Sequence, residues 1–168
     1  GAGVGSGYEV AIKTSLADLP VVGSYLGDLA LTTGYAEQET AKITNTSDRR
    51  EATAALTGSF GNFKFGYQKD FVDAGQTAAL TDAVFYKIEQ IGLAYAINDA
   101  LSISYNTMEQ SQHNVAGDGT IEQDTNAINI GYTVGGMTIG FQDASTDHAN
   151  MVKDAKDDVR SISLSVAF

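Results

Sequence analysis

The chain is expected to be all-β: an antiparallel up-and-down transmembrane β-barrel, of which about nine strands are visible. Three observations predict it. Apolar and polar residues alternate with period two through nine segments. The connections between segments switch between short turns and long polar stretches. The face opposite the apolar residues is made of Ser, Thr, Asn, Gln and Gly, too polar for a dry core.

The first strand is expected over Tyr8–Leu16 and the second over about Tyr25–Glu37, where Leu29, Leu31, Thr33 and Tyr35 share a face. The third runs from about Arg50 to Phe60, with Ala52, Ala54, Leu56, Gly58 and Phe60 together. In the fourth, Phe63 to Val72, Phe63, Phe65 and Tyr67 alternate with Lys64, Gly66 and Gln68. The fifth spans about Val84 to Ile97, the sixth Leu101 to Gln110, the seventh about Ile121 to Val134, the eighth Met137 to Ala144 and the ninth Val159 to Phe168.

Gly61-Asn62, Asn98-Asp99 and Gly135-Gly136 are expected as two-residue turns, since such pairs supply the positive φ of a tight hairpin. The other connections, Thr40 to Arg49, Asp73 to Asp82, Ser111 to Thr120 and Ser145 to Asp158, are long and polar. In an up-and-down barrel this order puts short turns at one end and long loops at the other, an asymmetry of outer-membrane barrels. Aromatic residues near the strand ends fit interfacial girdles: Phe60, Phe63 and Phe168 by the turns, and Tyr35, Tyr67 and Phe71 towards the loops. Charge on the apolar face is scarce except near the loops, at Lys69, Glu109 and Asp143. Alternation alone is equally compatible with a soluble secreted β-protein whose polar face meets water.

Composition narrows the function classes. The 168 residues include no cysteine, which excludes zinc fingers, disulfide frameworks and thiol catalysis. A net charge of −11 without a Lys/Arg cluster argues against nucleic-acid binding. No run of apolar residues is long enough for a transmembrane helix.

The terminal strand, Ser163-Leu164-Ser165-Val166-Ala167-Phe168, resembles the C-terminal signal of Gram-negative outer-membrane proteins. The hairpins Gly58-Ser59-Phe60-Gly61-Asn62-Phe63-Lys64-Phe65-Gly66-Tyr67 and Leu93 to Tyr105, with Gly7-Tyr8-Glu9, resemble general trimeric porins of the alphaproteobacterial type. The resemblance implies an outer-membrane channel for passive diffusion of small hydrophilic solutes and ions. It also implies contact with outer-membrane lipid and lipopolysaccharide, a homotrimer, and no enzymatic activity.

Single-chain bacterial barrels have an even number of strands. Nine visible strands therefore leave two alternatives. The chain is expected to be the C-terminal portion of a 16-stranded porin, about seven strands short at roughly 19 residues per strand, with a companion fragment completing the barrel. Gly1 would then lie in an external loop, and Leu19-Pro20-Val21-Val22-Gly23 would form a periplasmic turn, where proline costs no ladder donor. The alternative is a complete eight-stranded barrel with a structural or adhesin role.

The candidate pore-lining residues are those on the polar face that carry charge, Glu9, Lys13, Asp28, Lys64 and Asp70, with Gln68 between two of them. Each is equally well explained as a solvated surface group. The loops hold many acids, and Asp154-x-x-Asp157-Asp158 offers oxygens suited to Ca²⁺, although the spacing matches no EF-hand. A solvated acidic rim is the alternative. No cofactor is otherwise expected. His113 and His148 are expected in external loops. Asp147 adjoins His148, but consecutive strand residues face opposite ways, and no Gly-x-Ser-x-Gly motif accompanies them.

Overall fold

The computed structural model describes residues 6–16, 28–39, 48–73, 75, 83–114 and 120–166. Nine strands are present: β1 (Gly7–Ser15), β2 (Ala30–Gln38), β3 (Arg49–Phe60), β4 (Phe63–Asp73), β5 (Ala83–Ala96), β6 (Leu101–Asn114), β7 (Thr120–Val134), β8 (Met137–Asp147) and β9 (Lys156–Val166). They form one sheet in chain order, and every neighbouring pair is antiparallel. The alternative count of eight is therefore not met. Among the described residues β1 and β9 do not pair with each other, so the sheet is open.

Two of the three expected tight turns hold. Gly61 joins β3 to β4 at φ +57°, and Gly135 and Gly136 join β7 to β8 at φ +54° and +80°, a region that side chains with a Cβ rarely enter. The expected two-residue turn at Asn98-Asp99 is instead a bend over residues 97–100. Neither Asn98 nor Asp99 adopts positive φ. The Asn98 side chain does the work of a glycine: its Oδ1 accepts from Ala100 N and Leu101 N, both at 2.9 Å.

The sorting of connection lengths holds from β2 to β9 but not between β1 and β2. Residues 16–29 link β1 to β2 at the turn end, closed at their neck by Leu16 N donating to Leu29 O at 2.8 Å. The second strand begins at Ala30 rather than near Tyr25, and Asp28 lies in a turn just before it. The stretch Leu19–Gly23, residues Gly1, Asp82, Asp118 and Phe168, and most of the other long connections fall outside the described residues. Several strands reach further towards the loop end than alternation suggested, because polar residues there still pair across the ladder: β6 to Asn114, β8 to Asp147, and β9 from Lys156. His113 is consequently a strand residue opposite Phe85, not a loop residue.

The sheet has almost no core of its own. Among the described residues, Ala149 is the one buried apolar residue. One face carries the large apolar side chains, most of them exposed and none buried: Ile12, Leu31, Tyr67, Leu93, Ile103, Ile130, Ile139 and Leu164 are exposed examples. The other face is hollowed. One depression of about 330 Å³ is bounded by residues from β3 to β7, including Ala55, Gly66, Gln90, Asn106 and Thr125. A hollow shared by five successive strands means that the sheet curls towards its polar side. The small residues opposed there allow it, as where Gly66 faces Gly92 and Gly131 faces Gly140.

Candidate functional site

Register decides what the concave face offers. Counting across the ladder, one rung reads Ser59, Lys64, Ala94, Ser104, Asn129, Gln142 and Ser161. The next towards the turns contains Ser102, Gly131, Gly140 and Ser163. These side chains are short and polar, and Asn129 Nδ2 donates to Ser104 Oγ at 3.3 Å. A second depression, about 420 Å³, is lined by these rungs. Such a surface holds water readily and leaves space above the sheet.

The six candidate lining residues fall on this side. Glu9 and Lys13 lie on β1, and Lys64, Gln68 and Asp70 on β4, all in phase with the polar rungs. Asp28 is not a strand residue, but Ser59 Oγ donates to its Oδ2 at 2.7 Å, which holds it beside the Lys64 rung. Gln68 Nε2 donates to both carboxylate oxygens of Asp70, at 3.1 and 2.9 Å. Glu9, Gln68 and Asp70 line a third depression of about 400 Å³. Lys13 and Lys64 stand away from it.

Glu51 lines that same depression and was missed as a candidate. Arg49 Nε donates to Glu51 Oε1 at 2.7 Å, so this acid arrives partly neutralised. Both lie in phase with Thr53 on β3, and extending that alternation by two and four residues would have found them.

The convex face is banded. From Val134 to Ile128 its apolar stretch on β7 is about 20 Å along the strand at ~3.4 Å per residue. Above it comes a tyrosine belt: Tyr35 donates to Glu37 at 2.8 Å, Tyr67 to Glu89 at 3.0 Å and Tyr105 to Asn126 at 2.8 Å, each towards the loop end, and Tyr8 donates across the ladder to Glu37 at 2.9 Å. Four ion pairs occupy the same level and above: Arg50–Glu37 at 3.7 Å, Lys69–Glu89 at 3.1 Å, Arg160–Asp143 at 2.7 Å and Lys156–Asp147 at 2.8 Å. One rung there reads Lys69, Glu89, Glu109, Asp124, Asp147 and Lys156, four acids in succession between two lysines. Of the acids in the expected Ser145 to Asp158 connection, Asp147 lies on β8 and Asp157 and Asp158 lie on β9.

The Asp154-x-x-Asp157-Asp158 triplet is not gathered into a chelate. Asp157 faces Thr146 on the concave side and Asp158 faces Ser145 on the convex side. Among the described residues no three His, Asp or Glu side chains are grouped to hold a metal ion. Asp147 and His148 also diverge. Asp147 is held by Lys156, which keeps its carboxyl below the usual range beyond the apolar band. The His148 ring meets the Glu122 carbonyl through Nδ1 at 2.8 Å. The β8–β9 connection is tightly wound: His148, Asn150, Met151 and Asp154 all adopt positive φ, and Ala149 N donates to Ala155 O at 3.0 Å.

Set against protein-family models, curated proteins and solved structures, the chain matches none.

Proposed function

We propose that this chain forms the wall of an outer-membrane porin, through which small hydrophilic solutes and ions diffuse passively. One observation carries the proposal: the sheet leaves its whole apolar face uncovered while curling around its polar one. A soluble layer of this kind would have to bury the apolar face against a second layer. A barrel in a bilayer meets lipid there and encloses water on the other side, with the backbone satisfied around the ladder. The convex bands support the same reading. An apolar stretch of about 20 Å tilted by ~40° spans ~16 Å, within the ~25 Å band of such barrels, and tyrosine hydroxyls and ion pairs lie just beyond it. The short Ser, Gly, Ala and Asn side chains of the concave rungs leave a lumen open rather than plugged. Solutes would be sorted by width and by the charges at Glu9, Lys13, Glu51, Lys64 and Asp70, without a chemical step. The porin resemblance adds a trimer, visible as openings in groups of three.

The test uses the absence of native cysteine. Asn129→Cys and Ile130→Cys place thiols one residue apart on opposite faces of β7. The membrane-extracted protein is inserted into planar bilayers and treated with a charged, water-soluble thiosulfonate. Conductance should fall stepwise for Asn129→Cys and stay constant for Ile130→Cys. Electrical silence from folded, inserted protein overturns the proposal, as does block at Ile130→Cys alone.

A further inference from the structure

We infer that the concave side of β5 to β8 is a track for uncharged, polyhydroxylated solutes of monosaccharide size. The inference rests on the porin reading above and names the solute class for one part of that lumen. Among the described residues, the concave positions of β5, β6, β7 and β8 hold no Asp, Glu, Lys, Arg or His. The charged side chains of the same strands, Lys87, Glu89, Glu109, Asp124, Asp143 and Asp147 among them, all stand on the convex side. A water-filled side has no need to exclude charge, and β1, β3 and β4 carry it there, at Glu9, Lys13, Glu51, Lys64 and Asp70. The neutral strip is bounded by Lys64 and Asp70 on β4 and by Asp157 on β9.

Amides take the place of charge. Gln110 and Gln123 face each other on one rung, Gln90 lies on the next and Asn106 on the one after, and Asn129 and Gln142 face each other on the fourth. Successive rungs thus carry an amide over about 20 Å along the strand, at ~3.4 Å per residue. The side chains of Gln90, Asn106 and Gln142 make no hydrogen bond among the described residues, which leaves them open to a solute. Glycine decides how their neighbours lie. Asn106 Oδ1 is 3.0 Å from where a Cβ on Gly92 would stand, Ser102 Oγ 3.3 Å from that on Gly131, and Ser163 Oγ 2.6 Å from that on Gly140. Polar atoms therefore lie flat over glycine backbone, beneath the hollows of about 330 and 420 Å³. Both hollows fall in the range of ligand clefts, roughly 300–1,000 Å³. Met108 adds an apolar wall to the first.

Hydrogen-bonding chemistry selects the solute. A carboxylate only accepts and an ammonium only donates, whereas an amide does both, as each hydroxyl of a sugar does. One amide meets two adjacent hydroxyls, and Met108 meets the C–H side of the ring. A strip without charge gives an ion no attraction, and it gives up its water to a neutral solute more cheaply than a charged side chain does. The hollow lined by Glu9, Glu51 and Asp70 serves ions instead.

The experiment compares two uncharged solutes of similar size in vesicles holding the membrane-assembled protein. Glucose has adjacent hydroxyls; the inner oxygens of triethylene glycol only accept. Entry is followed by vesicle swelling, per open channel counted by conductance in potassium chloride and relative to each solute's diffusion in water. Glucose should enter faster than triethylene glycol by about threefold, the gain from roughly one hydrogen bond made better than in water. In the double variant Gln90→Leu with Asn106→Leu, which keeps side-chain bulk, the ratio should fall to about one. Asn106→Asp alone keeps the shape but loses the donor, and should lower the ratio too while shifting conductance towards cations. A ratio near one in the unaltered protein, or one that survives both variants, overturns the inference and leaves the conducting channel in place. Folded, inserted protein that passes neither ions nor glucose overturns the porin reading itself, and this inference with it.

Discussion

Asn129 and Ile130 are consecutive residues of β7, yet their cross-strand neighbours have nothing in common. Asn129 sits between Ser104 and Gln142, and Ile130 between Ile103 and Phe141. The same contrast recurs along every strand from β3 to β9, which makes the sheet two surfaces built by one backbone. The convex surface varies along the strand, from apolar band to tyrosine belt to charged rungs. The concave surface is polar and small-residue from the turns to the level of Gln68 and Gln90, and takes on Ile88, Met108 and Val72 only towards the loop end. A face that crosses a lipid bilayer must change with depth, whereas a face bathed in water has no such requirement. The difference identifies which face carries the stability constraint and which is free to be tuned.

The largest effect should come from adding charge at this point of contrast. In the proposed barrel Ile130→Arg would put a guanidinium at mid-depth on the lipid side and should destabilise the folded protein by about 2–4 kcal/mol. Asn129→Arg, one residue away, should cost under about 1 kcal/mol, because the side chain extends into water. Urea-dependent folding into lipid vesicles measures both. Equal losses, or a larger one at Asn129, would break the assignment of faces.

A smaller contrast lies in the glycines. A Cβ at Gly58 on the convex face would meet Leu29 Cδ2 at 2.5 Å and Phe65 Cζ at 2.7 Å. Gly58→Ala should therefore cost about 1 kcal/mol or somewhat more, as the two side chains are pushed aside. At Gly66 on the concave face the nearest atom, Thr57 Cγ2, is 3.7 Å away. Gly66→Ala should stabilise by about 0.5 kcal/mol through reduced chain entropy in the unfolded state. Shifts in urea midpoint at constant slope check the pair, and matching signs would mean that the two faces are packed alike.

The strands and their faces were legible in the sequence because both follow from a period-two pattern, which is local. Five of the six candidate lining residues, Glu9, Lys13, Lys64, Gln68 and Asp70, could be placed on one side for the same reason. What could not be read was anything that depends on register. The rung Lys69–Glu89–Glu109–Asp124–Asp147–Lys156 joins residues from six strands, and no local pattern marks them as neighbours. His113 was expected in a loop because its surroundings, Ser111-Gln112-His113-Asn114, are polar; pairing with β5 overrides that composition. Asn98 was expected to turn the chain through its own backbone, and does so through its side chain. Asp28 was assigned to a strand that starts two residues later, and reaches the concave face only through Ser59.

That charged rung supplies the smallest and most specific test. Lys69 pairs with Glu89 and Lys156 with Asp147, while Glu109 and Asp124 stand directly opposite each other between them. Like charges facing across a ladder are destabilising. Glu109→Gln should accordingly stabilise the protein by roughly 0.2–1 kcal/mol at low salt. Raising the salt from about 0.01 M to about 1 M shortens the screening length from ~30 to ~3 Å and should erase the gain. Ser104→Ala on the concave face removes no charge and should show no salt dependence. If Glu109→Gln instead destabilises at low salt, the attraction of Glu109 to Lys69 outweighs its repulsion from Asp124.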